Sequence, residues 1–128
     1  MIKQDYILRM IQEIISAIAD VLLKRKKLTT ESKTEYDCIT GQILGCSIAE
    51  LSVVAPEELI NKYSNTEDGI DKLELIAVSM LITSEETEKS NLLLKFRLKQ
   101  NGTHLLQYVQ HNSKRFSLQR ELLINMIK

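Results

Sequence analysis

The sequence predicts an all-α protein, and three observations support this fold class. The stretch Met1–Lys27 carries apolar residues with the period of an α-helix, and segments with the same period follow to the end of the chain. Four glycines and one proline are too few turn markers for an all-β domain. A length of 128 residues suits a single domain with its own core, and a hydrophobic content of 44% excludes disorder.

The first predicted helix, Met1–Lys27, is the most apolar part of the chain. Its polar residues fall on one narrow stripe because they recur every three or four positions: Arg9, Glu13, Ser16, Asp20 and Lys24. The remaining apolar residues cover an arc wider than the roughly 100° of an ordinary surface helix. Such a helix needs several neighbours, so we expect it to be the central element. Opposite charges four residues apart support it: Asp5 with Arg9, Arg9 with Glu13, and Asp20 with Lys24.

The same stretch is not expected to cross a membrane. Its longest run without a charge, Ile14–Ala19, is far shorter than the roughly 18 to 20 apolar residues that a span needs. No cleavage-type site follows an uninterrupted apolar core. We therefore expect a cytoplasmic protein. The run Lys24–Lys27 would suit an acidic membrane surface or nucleic acid, but cations also favour the negative end of a helix dipole, and the helix-end interpretation is preferred.

A second helix is predicted over Glu31–Leu44. Ser32 and Glu35 have the spacing of a capping box, and Gly45 offers the left-handed residue that often follows a helix. Its apolar face should pack on the first helix, so that the two form an antiparallel hairpin.

Two short helices are predicted next. Ser47 and Glu50 form another capping box, and they open a short helix through Val54. Pro56 is suited to the first position of a further helix that extends to Tyr63.

The helical period returns at Ile70 and continues to the end of the chain. Thr83 and Asn91 bound the region in which one helix should end and the next begin. The Asn101-Gly102 pair would normally indicate a turn, but Leu98 and Leu105 keep one helical phase across it. We therefore expect one helix to about His111, in which Gly102 permits close helix contact or a kink. Ser117 should cap a last helix whose apolar residues need a partner surface: Leu118, Leu122, Leu123, Met126 and Ile127.

Charge is balanced overall but is unevenly distributed along the chain. Between Asn65 and Glu88 seven acidic residues and one lysine give a net charge of −6, whereas residues 89–128 carry eight basic residues and one glutamate, a net charge of +7. We expect two neighbouring elements that attract each other. The alternative is a nucleic-acid patch, although no aromatic residues are interleaved with its cations. This patch would use Lys95, Arg97, Lys99, Lys114, Arg115 and Arg120.

No pattern typical of catalysis, metal binding or cofactor binding is present in the sequence. Cys38 and Cys46 match neither a redox pair nor a zinc half-site, so we expect reduced thiols. His104 and His111 share one side of a helix but lack further metal ligands. The candidate polar groups of an enzyme are Asp5, Tyr6, Arg9, Glu13 and His104, yet no phosphate loop or serine elbow accompanies them. We predict that the protein is not an enzyme and that it holds no cofactor or metal.

Three segments carry a family resemblance. The opening Met1–Ile11, and the segments Leu105–Val109 and Phe116–Arg120, resemble the two ends of a family of bacterial proteins with a domain of unknown function, made of helical hairpins related to tetratricopeptide repeats. The resemblance implies antiparallel, tetratricopeptide-repeat-like hairpins packed on a long N-terminal helix, and it implies no activity. Because self-similarity at a period of about 34 residues is lacking, we expect one or two hairpins.

The expected function is protein–protein interaction or scaffolding, with an unidentified protein partner or a homo-oligomer. It is motivated by the large apolar surface of the first and last helices and by the lack of a catalytic constellation. A nucleic-acid-binding accessory protein is the alternative.

Overall fold

The computed structural model describes the backbone of residues 2–66 and 68–127 and the side chains of residues 6–66 and 68–127. Over these residues the chain forms seven α-helices and no strand, which confirms the all-α prediction. The helices are α1 (Ile2–Leu23), α2 (Thr30–Leu44), α3 (Ile48–Leu51), α4 (Pro56–Ser64), α5 (Gly69–Glu86), α6 (Leu92–Asn112) and α7 (Leu118–Ile127). None of the helices in the described ranges has the length and apolar character that crossing a membrane requires.

Side chains near the helix ends explain most of these boundaries. Gly45 ends α2 in the left-handed region, at φ +78°, and Pro56 is the first residue of α4, as predicted. Ser47 caps α3, and Ser117 caps α7 by accepting from the Arg120 amide at 3.1 Å. The predicted cap of α2 at Ser32 is wrong. Thr29 provides it instead, because its hydroxyl oxygen accepts from the Ser32 amide at 3.1 Å.

The helices α5 and α6 form an antiparallel hairpin. The connection at residues 87–91 lies inside the predicted interval, and α6 runs through Gly102 without interruption, so both predictions are confirmed. A Cβ built on Gly102 would lie 3.0 Å from the Ala77 carbonyl oxygen of α5. Gly102 therefore permits the close helix contact that its position suggested.

The central element is α5 and not α1, which corrects the sequence-based expectation. Residues 73–82 of α5 are all buried, because α1, α3, α4 and α6 pack around it. Among the side chains of α1 that are described, from Tyr6 onward, the buried ones form one face: Ile11, Ile14, Ile15, Ile18, Ala19 and Leu22. Ile7, Leu8 and Met10 keep part of their surface exposed. The apolar arc of α1 is thus wider than the surface that the fold covers.

The predicted hairpin of α1 and α2 also differs from the structure. The main neighbours of α1 are α5 and α7, and α2 contacts it only marginally. The Gln119 side chain of α7 donates to the Ser16 carbonyl oxygen of α1 at 3.3 Å. Further along both helices, Leu22 and Met126 line one cavity, so α1 and α7 run in the same direction. Helix α2 buries only Thr40 and Leu44 fully, which makes it a peripheral element.

Candidate interaction surfaces

A buried polar network joins α5, α6 and α7. Arg120 is only 4% exposed, and its Nη1 lies 3.2 Å from Oε2 of Glu74, which is 8% exposed. The same guanidinium donates from Nε to Oε1 of Gln110 at 2.6 Å and from Nη2 to the Arg115 carbonyl oxygen at 2.7 Å. No buried side-chain polar atom in the described part of the chain lacks a partner. The network therefore links α5, α6 and α7 within the core, because a buried ion pair is tolerated where its hydrogen bonds are satisfied.

A second ion pair extends this network toward α1. The Arg115 guanidinium pairs with Asp71 of α5, and the side-chain oxygen of Gln12 accepts from it in one of its two amide orientations. Burial raises the pKa values of both Asp71 and Glu74 above the ordinary carboxyl values, and the neighbouring arginines oppose this rise. These two ion pairs confirm that the acidic segment 65–88 and the basic segment 89–128 attract each other within the fold.

The six cations proposed to bind a polyanion do not form one surface. Arg120 is inside the molecule and is held by Glu74, so it is not accessible to phosphate. Arg115 is paired with Asp71, and Lys95 donates to the Ser84 carbonyl oxygen at 2.7 Å. Exposed positions remain for Arg97, Lys99 and Lys114. Lys114 lies in the connection after α6, and with a rise of 1.5 Å per residue the helix end at Asn112 is roughly 25 Å from Lys95.

The largest exposed apolar side chains of α6 lie together at its beginning. Leu92 is 67% exposed, Leu93 is 80% exposed and Phe96 is 61% exposed. Separations of three and four residues place these side chains on one side of the helix. We call this group the α6 patch.

The antiparallel packing of α7 explains why the α6 patch is uncovered. Ile127, the last described residue of α7, lines a cavity with Lys99. Leu92 precedes Lys99 by two turns, or about 10 Å along the helix. The first turns of α6 therefore extend beyond the described end of α7. A signal in the sequence was Leu92-Leu93-Leu94, because three consecutive apolar residues point in directions about 100° apart and exceed the single buried face of a peripheral helix.

Exposed charges of both signs flank the α6 patch in the sequence. Glu88 and Lys89 are exposed in the connection before it, and Arg97 is exposed directly after Phe96. The sequence neighbours of the patch therefore include both carboxylates and cations.

A smaller exposed apolar group lies at the α6–α7 connection and on α7. It comprises Phe116, Leu118 and Leu122. Leu118 and Leu122 are two of the five residues for which a partner surface was predicted. Of the other three, Leu123 is buried, and Met126 and Ile127 pack against the core. The intramolecular surface therefore takes up only part of the apolar face of α7.

A cleft of about 660 Å³ opens where α1, α5, α6 and α7 meet at one end of the molecule. Its apolar lining consists of Val21, Leu22, Leu28, Ile82, Met126 and Ile127. Its charged lining consists of Arg25, Lys26, Lys27, Lys99, Glu85 and Glu86. We call this the basal cleft.

The candidate polar groups of an enzyme are not gathered at one site. Tyr6, Arg9 and Glu13 are exposed along α1, and the Asp5 side chain lies outside the described residues, so the Asp5–Arg9 pair does too. His104 Nε2 lies 3.8 Å from Oε1 of Glu57 at the surface. The described side chains contain no group of three or more potential metal ligands of the His, Cys, Asp and Glu types.

No protein-family model, no curated protein and no solved structure matches the chain. The resemblance to a tetratricopeptide-related family therefore stays a prediction.

Proposed function

We propose that this protein is a protein-interaction module that pairs with a second copy of itself through the α6 patch. The observation that carries the proposal is the exposure of Leu92, Leu93 and Phe96 at one helix end. Together they offer on the order of a few hundred Å² of contiguous apolar surface, a size that often marks an interaction site. Association would remove this surface from water.

The charge distribution supports a second copy as the occupant. A two-fold interface brings the same surface of both copies together, so it must be complementary to itself. Glu88 and Arg97, one charge of each sign, are exposed on either side of the α6 patch in the sequence. The net charge of the whole chain is zero, so two copies do not repel each other. An anionic membrane, in contrast, attracts surfaces with an excess of cations.

The size of the patch limits the strength of the pairing. Stable interfaces bury about 800 Å² on each partner. The three apolar residues supply less than this, and the residues around them must supply the rest. We expect a dissociation constant in the micromolar range, with the dimer most populated at high protein concentration.

Sedimentation velocity over a concentration series tests the proposal. The unmodified protein should shift from monomer to dimer, and Leu93→Ser with Phe96→Ser should remain monomeric. Val53→Ser is the matched control, because Val53 is as exposed as these residues but lies outside the α6 patch. A protein that is monomeric at all concentrations, or a double variant that still dimerises, would contradict the proposal.

Two further attributes belong to the same proposal. Cys38 is an exposed free thiol and Cys46 is a half-buried one, and such thiols suit the reducing cytoplasm. The α5–α6 hairpin, with its tight contact at Gly102, is the part of the chain that best supports a relationship to tetratricopeptide-like hairpins.

A further inference from the structure

The basal cleft has the size of a small-molecule site. Its volume of about 660 Å³ lies within the range of roughly 300 to 1,000 Å³ that ligand pockets usually occupy. The C-terminal ends of α1, α5 and α7 contribute to its walls, and α6 contributes Lys99 from its first half. A site at the junction of four helices is held in place by the packing of the whole molecule.

The deeper wall of the cleft is apolar. Leu22 of α1 and Ile82 of α5 are buried, and they form the wall next to the core. Leu28, Met126 and Ile127 keep part of their surface accessible. A ligand with an unbranched apolar chain would cover this partly exposed surface and would leave water with it.

The rim of the cleft carries more cations than carboxylates. Arg25, Lys26 and Lys27 follow the end of α1, and Lys99 adds a fourth cation from α6. Glu85 and Glu86 are the two carboxylates. Lys33 approaches Glu86 to 4.0 Å although it is not part of the lining, so Glu86 is already partly compensated. The rim therefore favours an anionic group.

Arg25 has a backbone conformation that is unusual for an arginine. Arg25 has φ +54°, a left-handed conformation in which glycine is usual. The Lys26 amide donates to the Val21 carbonyl oxygen at 3.0 Å, which is the hydrogen bond of a Schellman motif. Glycine would form this motif with less strain, so an arginine here is consistent with a use of its charge at the rim.

We infer that the basal cleft binds an amphiphilic anion, with its acidic head group at the rim formed by Arg25, Lys26 and Lys27 and its unbranched apolar chain against Leu28, Met126 and Ile127. The head group is a carboxylate, as in a fatty acid, or a phosphate, as in a lipid. The site is separate from the α6 patch, and it does not depend on dimerisation.

Calorimetric titration of the full chain with decanoate, octanoate and acetate tests the inference. Decanoate should bind, acetate should not, and each added methylene should raise the affinity two- to fourfold, because the chain leaves water as it enters the cleft. Decyl phosphate serves as the lipid-like probe, and whichever ten-carbon probe binds more tightly assigns the head group. Equal binding of acetate and decanoate would indicate a site for acidic groups alone, such as an acidic peptide, and would overturn the inference.

Variants at the rim provide the second test. Lys27→Gln and Arg25→Gly should each weaken decanoate binding at least fivefold, and Arg25→Gly should fold at least as well as the original protein. Lys24→Gln is the matched control, because Lys24 is next to the rim but pairs with Asp20 at 3.2 Å and does not line the cleft. Unchanged binding in both rim variants, or binding of neither decanoate nor decyl phosphate, would refute the assignment. Sedimentation of these variants should match that of the original protein, which separates this test from that of the α6 patch.

Discussion

Replacement of Arg120 by methionine should destabilise the protein strongly. The substitution removes the guanidinium that pairs with Glu74 at 3.2 Å and that donates to Gln110 and to the Arg115 carbonyl oxygen. Glu74 would then be a buried carboxylate without its counter-ion. Loss of one partner of a buried pair costs about 3 to 5 kcal/mol, and the whole free energy of unfolding of a domain is about 5 to 15 kcal/mol.

Urea unfolding followed by circular dichroism measures this loss. The midpoint of Arg120→Met should fall while the slope stays the same, because the variant loses stability without losing its compact fold. The double variant Glu74→Leu/Arg120→Met should recover more than half of the loss, since it removes the unpaired charge and fills the space with apolar atoms. A loss below about 1 kcal/mol in the single variant, or no recovery in the double variant, would refute the structural role of the network.

Three further predictions concern pH, glycine and polyanions. Burial raises the pKa of Glu74 in the folded protein, so the contribution of this carboxyl group to stability is present at acidic pH. That contribution is lost as pH rises from the ordinary carboxyl pKa through the raised pKa. In Arg120→Met the pKa of Glu74 should rise further, so the loss of stability measured in urea should be smaller near pH 5 than near pH 8. Gly102→Ala should lower the free energy of unfolding by about 1 to 2 kcal/mol, because its Cβ would press on the Ala77 carbonyl oxygen. Gly41→Ala, whose Cβ would have its nearest atom at 4.0 Å, should raise the free energy of unfolding by about 0.5 to 1 kcal/mol. Equal effects of the two variants in thermal unfolding would contradict the close contact at Gly102. DNA and RNA should bind weakly at low salt, since the exposed cations Arg97 and Lys99 in the first half of α6 are distant from Lys114 in the connection after it. A steep linear fall of log affinity with log salt would contradict this prediction.

Local features of the fold were predictable because they depend on neighbours in sequence. Leu98 and Leu105 keep their phase across Gly102, so the continuous helix followed from spacing alone. Gly45 and Ser117 act within a few residues of themselves, and both predictions hold. The misplaced cap at Ser32 shows the limit of this reasoning, because Thr29 offers an equivalent hydroxyl three residues earlier.

The central position of α5 was not predictable by the same means. Glu74, Ser79 and Ser84 are buried polar residues, and in the sequence they interrupt an otherwise apolar segment. Glu74 is tolerated because Arg120 reaches it from 46 residues away, a contact that no local pattern encodes. The same contact removes Arg120 from the proposed polyanion surface, so tertiary pairing changed both the core and the candidate site.

The α6 patch was not predictable from the sequence. Apolar residues at the start of α6 have the same pattern as core residues, and their exposure depends on how α7 packs along α6 near Lys99. The basal cleft combines residues from four helices, so only the assembled fold brings Arg25 near Lys99.

The contact between α1 and α7 has a consequence for the order in which the helices pack during folding. Ser16 and Gln119 are 103 residues apart, whereas the α5–α6 hairpin closes through a five-residue connection. Short loops close first, so the hairpin should form before α7 packs against the first helix. During that interval the isoleucine face of α1 is only partly shielded, and a chaperone that recognises aliphatic segments would find its target there.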